Sequence, residues 1–336
     1  MATVTGKKVG PIGYGLMGMT WRPTQTPDEQ AFAAMNEALA RGATFWSTAE
    51  FYGSTDPTLG LQLLNRYFTA HPSAADKVVL CVKGGADIKS LEPKGSPADL
   101  RASVDNSIRL LGSVKKIDIF SPARVDKAVG IESMVETLAE CVNEGKIGAI
   151  GLSEVSAATI EKAVKIHPIA DVEVEFSLST PDILTNGVAA ACAKHNIPIL
   201  AYSPLGRGLL TGQLESVKDI PEGDIRHWLD RFQPENFDKN IELPKAVQKI
   251  ASKKGVSIPQ LALAWVKHHS ADVNTNTKGL PIIYPIPGAT RVDRVTENTT
   301  LVPLTSEEAD ELAKIVETIP MSGGRYNAMV EGQLWG

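Results

Sequence analysis

Tyr52 and Lys83 are the side chains with the most chemical promise in this chain. Tyr52 belongs to TFWSTAEFYGS (44–54), a short apolar run that ends in a polar loop holding Glu50. Lys83 ends the apolar run VVLCVKGG (78–85). A phenol, with a pKa near ~10, exchanges protons poorly at neutral pH unless a neighbour lowers that value. A lysine at the end of a buried strand faces desolvation, which lowers its own pKa, and its charge would stabilise a nearby phenolate. Together the two make a proton donor for the alkoxide that develops when a carbonyl is reduced. A plainer reading is also open: Lys83 pairs with a core carboxylate such as Glu50, and Tyr52 packs at the end of a core.

These residues need a scaffold that brings strand ends together. β-rich runs occur at 9–15, 44–49, 78–85, 116–124, 147–154, 172–179, 197–206 and 281–288. Most are apolar without strict alternation, the pattern of parallel strands covered on both faces. Helical patterns lie between them. In DEQAFAAMNEALARG, Phe32, Met35 and Leu39 share one face, and Thr26 to Glu29 spells a capping box with Pro27 as the first helical residue. Eight strands alternating with about eight helices predict a (β/α)₈ TIM barrel in a single domain spanning 1–336, with its core at about 9–318 and a tail at 319–336. Length beyond the usual ~250 residues falls in an insertion after strand seven, roughly 207–243, and in a C-terminal helix plus tail. GYGLMG (13–18) imitates a Rossmann fingerprint, but two prolines separate it from the next helix, so its glycines are read as letting backbone approach a ligand at a barrel mouth.

The chain has 336 residues, a net charge of −5 and no Lys/Arg cluster, which argues against nucleic acid or an anionic membrane as partner. No apolar run reaches membrane-spanning length. Cys81, Cys141 and Cys192 each sit in an apolar run and read as buried free thiols of a reducing compartment, with a cytoplasmic location expected and a nuclear one also open. The six histidines show no ligand spacing, and no metal is expected.

In a barrel, the strand ends and the loops after them form the functional face. Those positions hold Ser47, Glu50 and Tyr52; Lys83; Ala123, Arg124 and Asp126; Ser153 and Glu154; Glu173 and Glu175; Tyr202 and Ser203; Gly288 and Thr290. Ser47 and Glu50 are the expected tuners of Lys83.

FWSTAEFYG, LCVKGG, IGLSE, AYSPLGRGLLTG, SIPQLALAW and IPGATRVDRVTEN, in this order, resemble the aldo-keto reductase superfamily over about residues 9–318. The resemblance implies that Tyr52 is the general acid and Lys83 its partner. It further implies that Tyr202 stacks on a nicotinamide and that Ser153 holds the carboxamide, with Glu154 and Glu173 at the two neighbouring cofactor positions. Ser203, Leu205 and the loop of Gly206, Arg207 and Gly208 would wrap a pyrophosphate. Gly288, Thr290, Arg291, Arg294, Glu297 and Asn298 would line the adenosine end, with Gly15, Leu16 and Met17 beside the ribose.

The chain departs from the family at four positions. Ser47 stands where the family has a catalytic aspartate, Ala123 where it has a histidine, Glu154 where it has an asparagine and Glu173 where it has a glutamine. A strand ending in ARVD, the motif TAEFYG and a C-terminal GGRY resemble the pyridoxal reductases of fungi and plants. That resemblance implies reduction of pyridoxal to pyridoxine with NADPH/NADP+. A broad aldehyde reductase and a weakly catalytic dinucleotide-binding regulatory subunit are the alternatives. Trp21, Ala123, Arg124 and Trp228 are the expected substrate contacts. Arg291 and Arg294, at the start of a helix, suit the 2′-phosphate of NADPH, although both also read as solvated helix residues. Oligomeric state is not legible.

Overall fold

The computed structural model describes residues 2–273 and 279–336. Ten strands occur in chain order: β1 (Ala2–Val4), β2 (Lys7–Val9), β3 (Tyr14–Gly15), β4 (Phe45–Ala49), β5 (Val79–Gly84), β6 (Ile119–Pro122), β7 (Ala149–Ser153), β8 (Ile169–Glu175), β9 (Ile199–Tyr202) and β10 (Ile283–Pro285). β3 to β10 form one parallel sheet in sequence order. A parallel bridge between Gly15 and Gly288 joins its two edges into the expected (β/α)₈ barrel. The Gly13 N–H donates to the Pro285 carbonyl across the same seam at 2.9 Å.

The first strand differs from expectation. The run 9–15 divides, with Val9 pairing Ala2 in an antiparallel hairpin and only Tyr14–Gly15 entering the barrel. Val4 and Val9 of that hairpin pack on Phe45, Val79, Ile119, Leu200 and Tyr284, which point into the barrel's lower end. The hairpin thus plugs the end opposite the functional face. Among the GYGLMG glycines, Gly15 also has a packing role. A Cβ on Gly15 would lie 2.6 Å from the Ile286 carbonyl oxygen, so the residue must be glycine for the barrel to close.

The helices pack outside. In Asp28–Ala40 the fully buried face is Ala31, Ala34, Met35 and Ala38, while Phe32 and Leu39 flank it half-buried. The capping box does not form: Pro27 is the cap residue, and the Thr26 hydroxyl has no partner. Helix Ile258–His268 does start with a capping box, Ser257 with Gln260, and is apolar nearly all round because it is wedged between barrel and outer helices. Trp46 faces outward from β4 against Tyr14, Tyr67 and Phe68 and is part of the core. All three cysteines are buried and free. No helix among the described residues is long and apolar enough to cross a membrane.

Candidate active site

Strand period two decides which side chains meet inside the barrel. From β4, Phe45, Ser47 and Ala49 point inward; from β5, Val79, Cys81 and Lys83; from β8, Asp171, Glu173 and Glu175. The lower members form the apolar plug, and the polar ones climb toward the mouth.

Lys83 is almost wholly buried and makes a dense set of contacts. Its Nζ donates to Ser47 Oγ at 2.7 Å and to the Thr48 carbonyl at 3.1 Å, and lies 2.8 Å from Glu173 Oε1 and 3.1 Å from Oε2. Ser47 Oγ in turn donates to Glu173 Oε2 at 2.7 Å. Two expectations are corrected here. Glu50 does not tune Lys83: its carboxylate accepts from Asn106 Nδ2 at 2.6 Å and from the Ser103 hydroxyl, away from the ammonium. And Lys83 is not lowered by burial. Desolvation is the largest single influence and works against its charge, but Glu173, with smaller contributions from Tyr52 and Cys81, outweighs it and holds the pKa above the ordinary lysine value. Glu173, expected at the cofactor, is taken up by this pair.

Tyr52 follows β4 in a pinned loop, its carbonyl accepting from Thr20 Oγ1 at 2.7 Å and from the Gly60 N–H at 2.9 Å. Lys83 Nζ lies 5.3 Å from the centre of its ring. Burial pushes the Tyr52 phenol up; the Lys83 charge pulls it back, and Glu173 and Tyr326 push it up again. The net shift is upward, where the sequence suggested a fall. The phenol stays protonated at neutral pH and has a proton to give. Its walls are apolar: Trp21 and Phe51 each lie 5.6 Å from the Tyr52 ring, and Ala123 closes the far side with Ala49.

The mouth is lined by a second set of charges. Glu154, with no exposed surface, pairs through both oxygens with Arg325 of the tail at 2.6 and 3.2 Å. Its carboxylate is thereby spent on the tail, which displaces the cofactor contact expected of it. Glu175 faces Arg207 at 3.2 Å, Arg231 at 3.7 Å and Arg325 at 4.0 Å. Burial works against its charge, yet the three guanidinium groups hold its pKa below the usual value. Tyr326 lies between Arg207 and Arg124, 4.5 and 5.7 Å from its ring, and its hydroxyl is 3.1 Å from that of Tyr202. The tail is therefore a built wall of the mouth.

The remaining expected residues fall into three groups. Ser153 is buried at the end of β7, and Gly15, Leu16 and Met17 lie at the barrel seam. The loop after β9 holds Ser203, Gly206, Arg207, Gly208 and Gly212 in the left-handed region, behind buried Leu205. The Gly206 and Gly208 N–H groups donate to the Ser203 and Leu205 carbonyls and brace the loop, so the Arg207 guanidinium is the group that fits a pyrophosphate there. Gly288 and Thr290 lead into helix Val292–Thr299. There Arg294 pairs with Glu297 at 2.7 Å beside buried Asn298, while exposed Arg291 pairs with Asp293. The solvated reading holds for Arg291. Trp228 is 68% exposed, whereas Phe232 anchors the insertion in its own small core. Trp228 does not meet Tyr52.

A model of the aldo/keto reductase family matches residues 11–317. The chain belongs to the aldo/keto reductase family. It is 44% identical over 341 residues, 99% of each chain, to a Schizosaccharomyces pombe protein named "Probable pyridoxal reductase 2". It is 40% identical, over 94% of this chain and 95% of the other, to a Saccharomyces cerevisiae protein whose name gives it provisionally as a pyridoxal reductase. The solved glycerol dehydrogenase of Gluconobacter oxydans shares the fold, with a TM-score of 0.76 at 24% identity over 93% of this chain and 92% of that one. As an aldo/keto reductase the protein is an oxidoreductase.

Sequence reasoning passed over Asp171 and Arg231. Asp171 was legible: DVEVE places Asp171, Glu173 and Glu175 at period two, all on one face of a strand. Arg231 carried no local signal, since the insertion brings it to Glu175 only by its fold.

Proposed function

We propose that the protein reduces pyridoxal to pyridoxine with NADPH, Tyr52 giving the proton. The observation that carries this reading is the charged Lys83 placed under the ring of a protonated phenol at the mouth of an aldo/keto reductase barrel. When bound, the reduced nicotinamide supplies a hydride. Tyr202 and Ser153 would hold that ring, the 203–212 loop with Arg207 the pyrophosphate, and Arg294, Glu297 and Asn298 the adenosine end.

The chain's own part is to orient the aldehyde and deliver a proton. As the carbonyl carbon is reduced, its oxygen becomes an alkoxide and takes the proton of the Tyr52 hydroxyl. Lys83 stabilises the phenolate left behind. Trp21, Phe51 and Ala123 offer an apolar wall to an aromatic ring and exclude water from the phenol. Pyridoxal carries a phenolic oxygen beside its aldehyde, which can polarise the carbonyl in a pocket where Ala123 brings no polar atom. Arg124, with Nη2 3.4 Å from the Tyr326 hydroxyl and its Nε buried without a partner, is a cation adjoining Ala123 of that wall. The 40–44% identity to proteins named as pyridoxal reductases points to the same substrate.

The test is to mix the protein with NADPH and pyridoxal and follow the absorbance of the reduced nicotinamide. Wild type consumes NADPH and Tyr52→Phe does not. Wild type that binds NADPH yet consumes none would overturn the reading in favour of a regulatory dinucleotide-binding protein.

A further inference from the structure

Lys83 meets its counter-charge across the barrel. β6 and β7 lie between β5, which carries Lys83, and β8, which carries Glu173. The contact therefore passes through the interior, and Ser47 of β4 bridges it by accepting from Lys83 and donating to Glu173. An ammonium has three N–H groups, and Ser47, Thr48 and the two oxygens of Glu173 crowd them at 2.7 to 3.1 Å. Lys83 thus acts on Tyr52 chiefly through its charge, with a weaker side-chain hydrogen-bond contribution in the same direction. Among the described residues, Glu173 is the one carboxylate within ion-pair distance of Lys83.

We propose that Glu173 is a positioning residue for the reaction, holding the Lys83 ammonium fixed and charged beneath Tyr52 through the Ser47 hydroxyl, and not a cofactor ligand. The proposal rests on the reading of Tyr52 as proton donor. Glu173 is buried at 3% exposure with both oxygens on Lys83 and one also on Ser47, so turning the carboxylate toward a carboxamide would weaken the buried pair. What the site requires is one negative charge beside Lys83, and the strand that delivers it is interchangeable. Ser47 Oγ already lies 2.7 Å from Nζ, so a carboxylate at residue 47 would reach the same ammonium.

The experiment compares Glu173→Gln with the double variant Ser47→Asp/Glu173→Gln. It measures the pH profile of kcat for pyridoxal reduction, the dissociation constant of NADPH, and the melting temperature. Glu173 favours the protonated forms of both Lys83 and Tyr52. Its neutralisation is expected to move the alkaline limb down by about one to three pH units, with NADPH affinity unchanged. The double variant is expected to bring the limb back. An unmoved limb in Glu173→Gln, weakened NADPH binding with the limb in place, or no recovery in the double variant overturns the proposal. Should Glu173→Gln not fold, the double variant decides: folded with the wild-type limb supports the proposal, and unfolded or displaced overturns it. If wild type reduces no aldehyde, the functional reading falls by itself. The Lys83–Glu173 partnership is then judged by melting temperature, lost in the single variant and regained in the double if it holds, and not regained if it does not.

Discussion

Ala123 decides more about the site than its size suggests. It is 5% exposed and packs with Ala49 and Phe51, so an imidazole in its place would take the volume that the aromatic wall leaves for substrate. Ala123→His is expected to lower kcat/KM for pyridoxal while leaving NADPH binding in place; a gain in pyridoxal reduction would refute the idea that the substrate's own hydroxyl polarises its carbonyl. At the other end of the cofactor groove, Arg294 is held by Glu297 in a half-buried (i, i+3) pair of modest strength. It is free to exchange that partner for a phosphate. Arg294→Ala is expected to raise KM for NADPH far more than for NADH, and equal effects would remove Arg294 from the 2′-phosphate site. Arg291→Ala should change neither, because its side chain is 67% exposed and stands out in solvent beside Asp293.

Among the elements, the tail is tied down by its own buried contacts. Within residues 319–336, Arg325 is 5% exposed and locked on Glu154, and the Gly336 N–H donates to the Glu154 carbonyl at 3.2 Å. Removing one member of a buried pair strands the other charge, at a cost of about 3–5 kcal/mol. Arg325→Ala should therefore melt several degrees lower and release the tail to limited proteolysis. A variant with wild-type melting and an uncut tail would mean the pair holds nothing. The insertion behaves differently. It folds on its own apolar residues Leu209, Leu214, Leu229, Phe232 and Phe237, and lends the mouth Arg231 while leaving Trp228 in solvent.

For the whole molecule, the barrel interior is a graded column, apolar at the hairpin end and charged at the mouth. Asp171 sits where the two meet. Both its oxygens lack hydrogen-bond partners, and burial, reinforced by Glu173, pushes its pKa up to about 8. A Cβ on Gly151 would fall 2.3 Å from Asp171 Oδ1, so the neighbouring strand yields room to this carboxyl. Its pKa is raised on folding from 3.8, so the neutral form is the one the fold tolerates. The stability it permits is whole below pH 4 and is lost as pH rises toward about 8, at no more than about 1.4 kcal/mol per pH unit. Asp171→Asn should flatten that loss: its melting temperature gains on wild type from pH 4 to 8 and runs parallel above. Parallel curves throughout would show that Asp171 does not titrate in this window.

The barrel was legible because hydrophobic period and helix punctuation are local properties, and eight alternations leave few ways to close. Tyr52 and Lys83 were legible because a polar residue at the end of an apolar run is rare enough to notice. The direction of their pKa shifts was not, nor the partner of Lys83. Burial of Lys83 could be read from VVLCV, but the largest of the contributions that together outweigh burial comes from Glu173, distant in the chain and across the barrel. The same holds for Glu154, which reads as a cofactor ligand until Arg325 folds back onto it. Sequence alone determined which strand ends face the mouth and which side chains they carry there. Only the closed barrel decided which charge answers which, because Coulomb interactions and desolvation depend on distances through space that the order of residues does not contain.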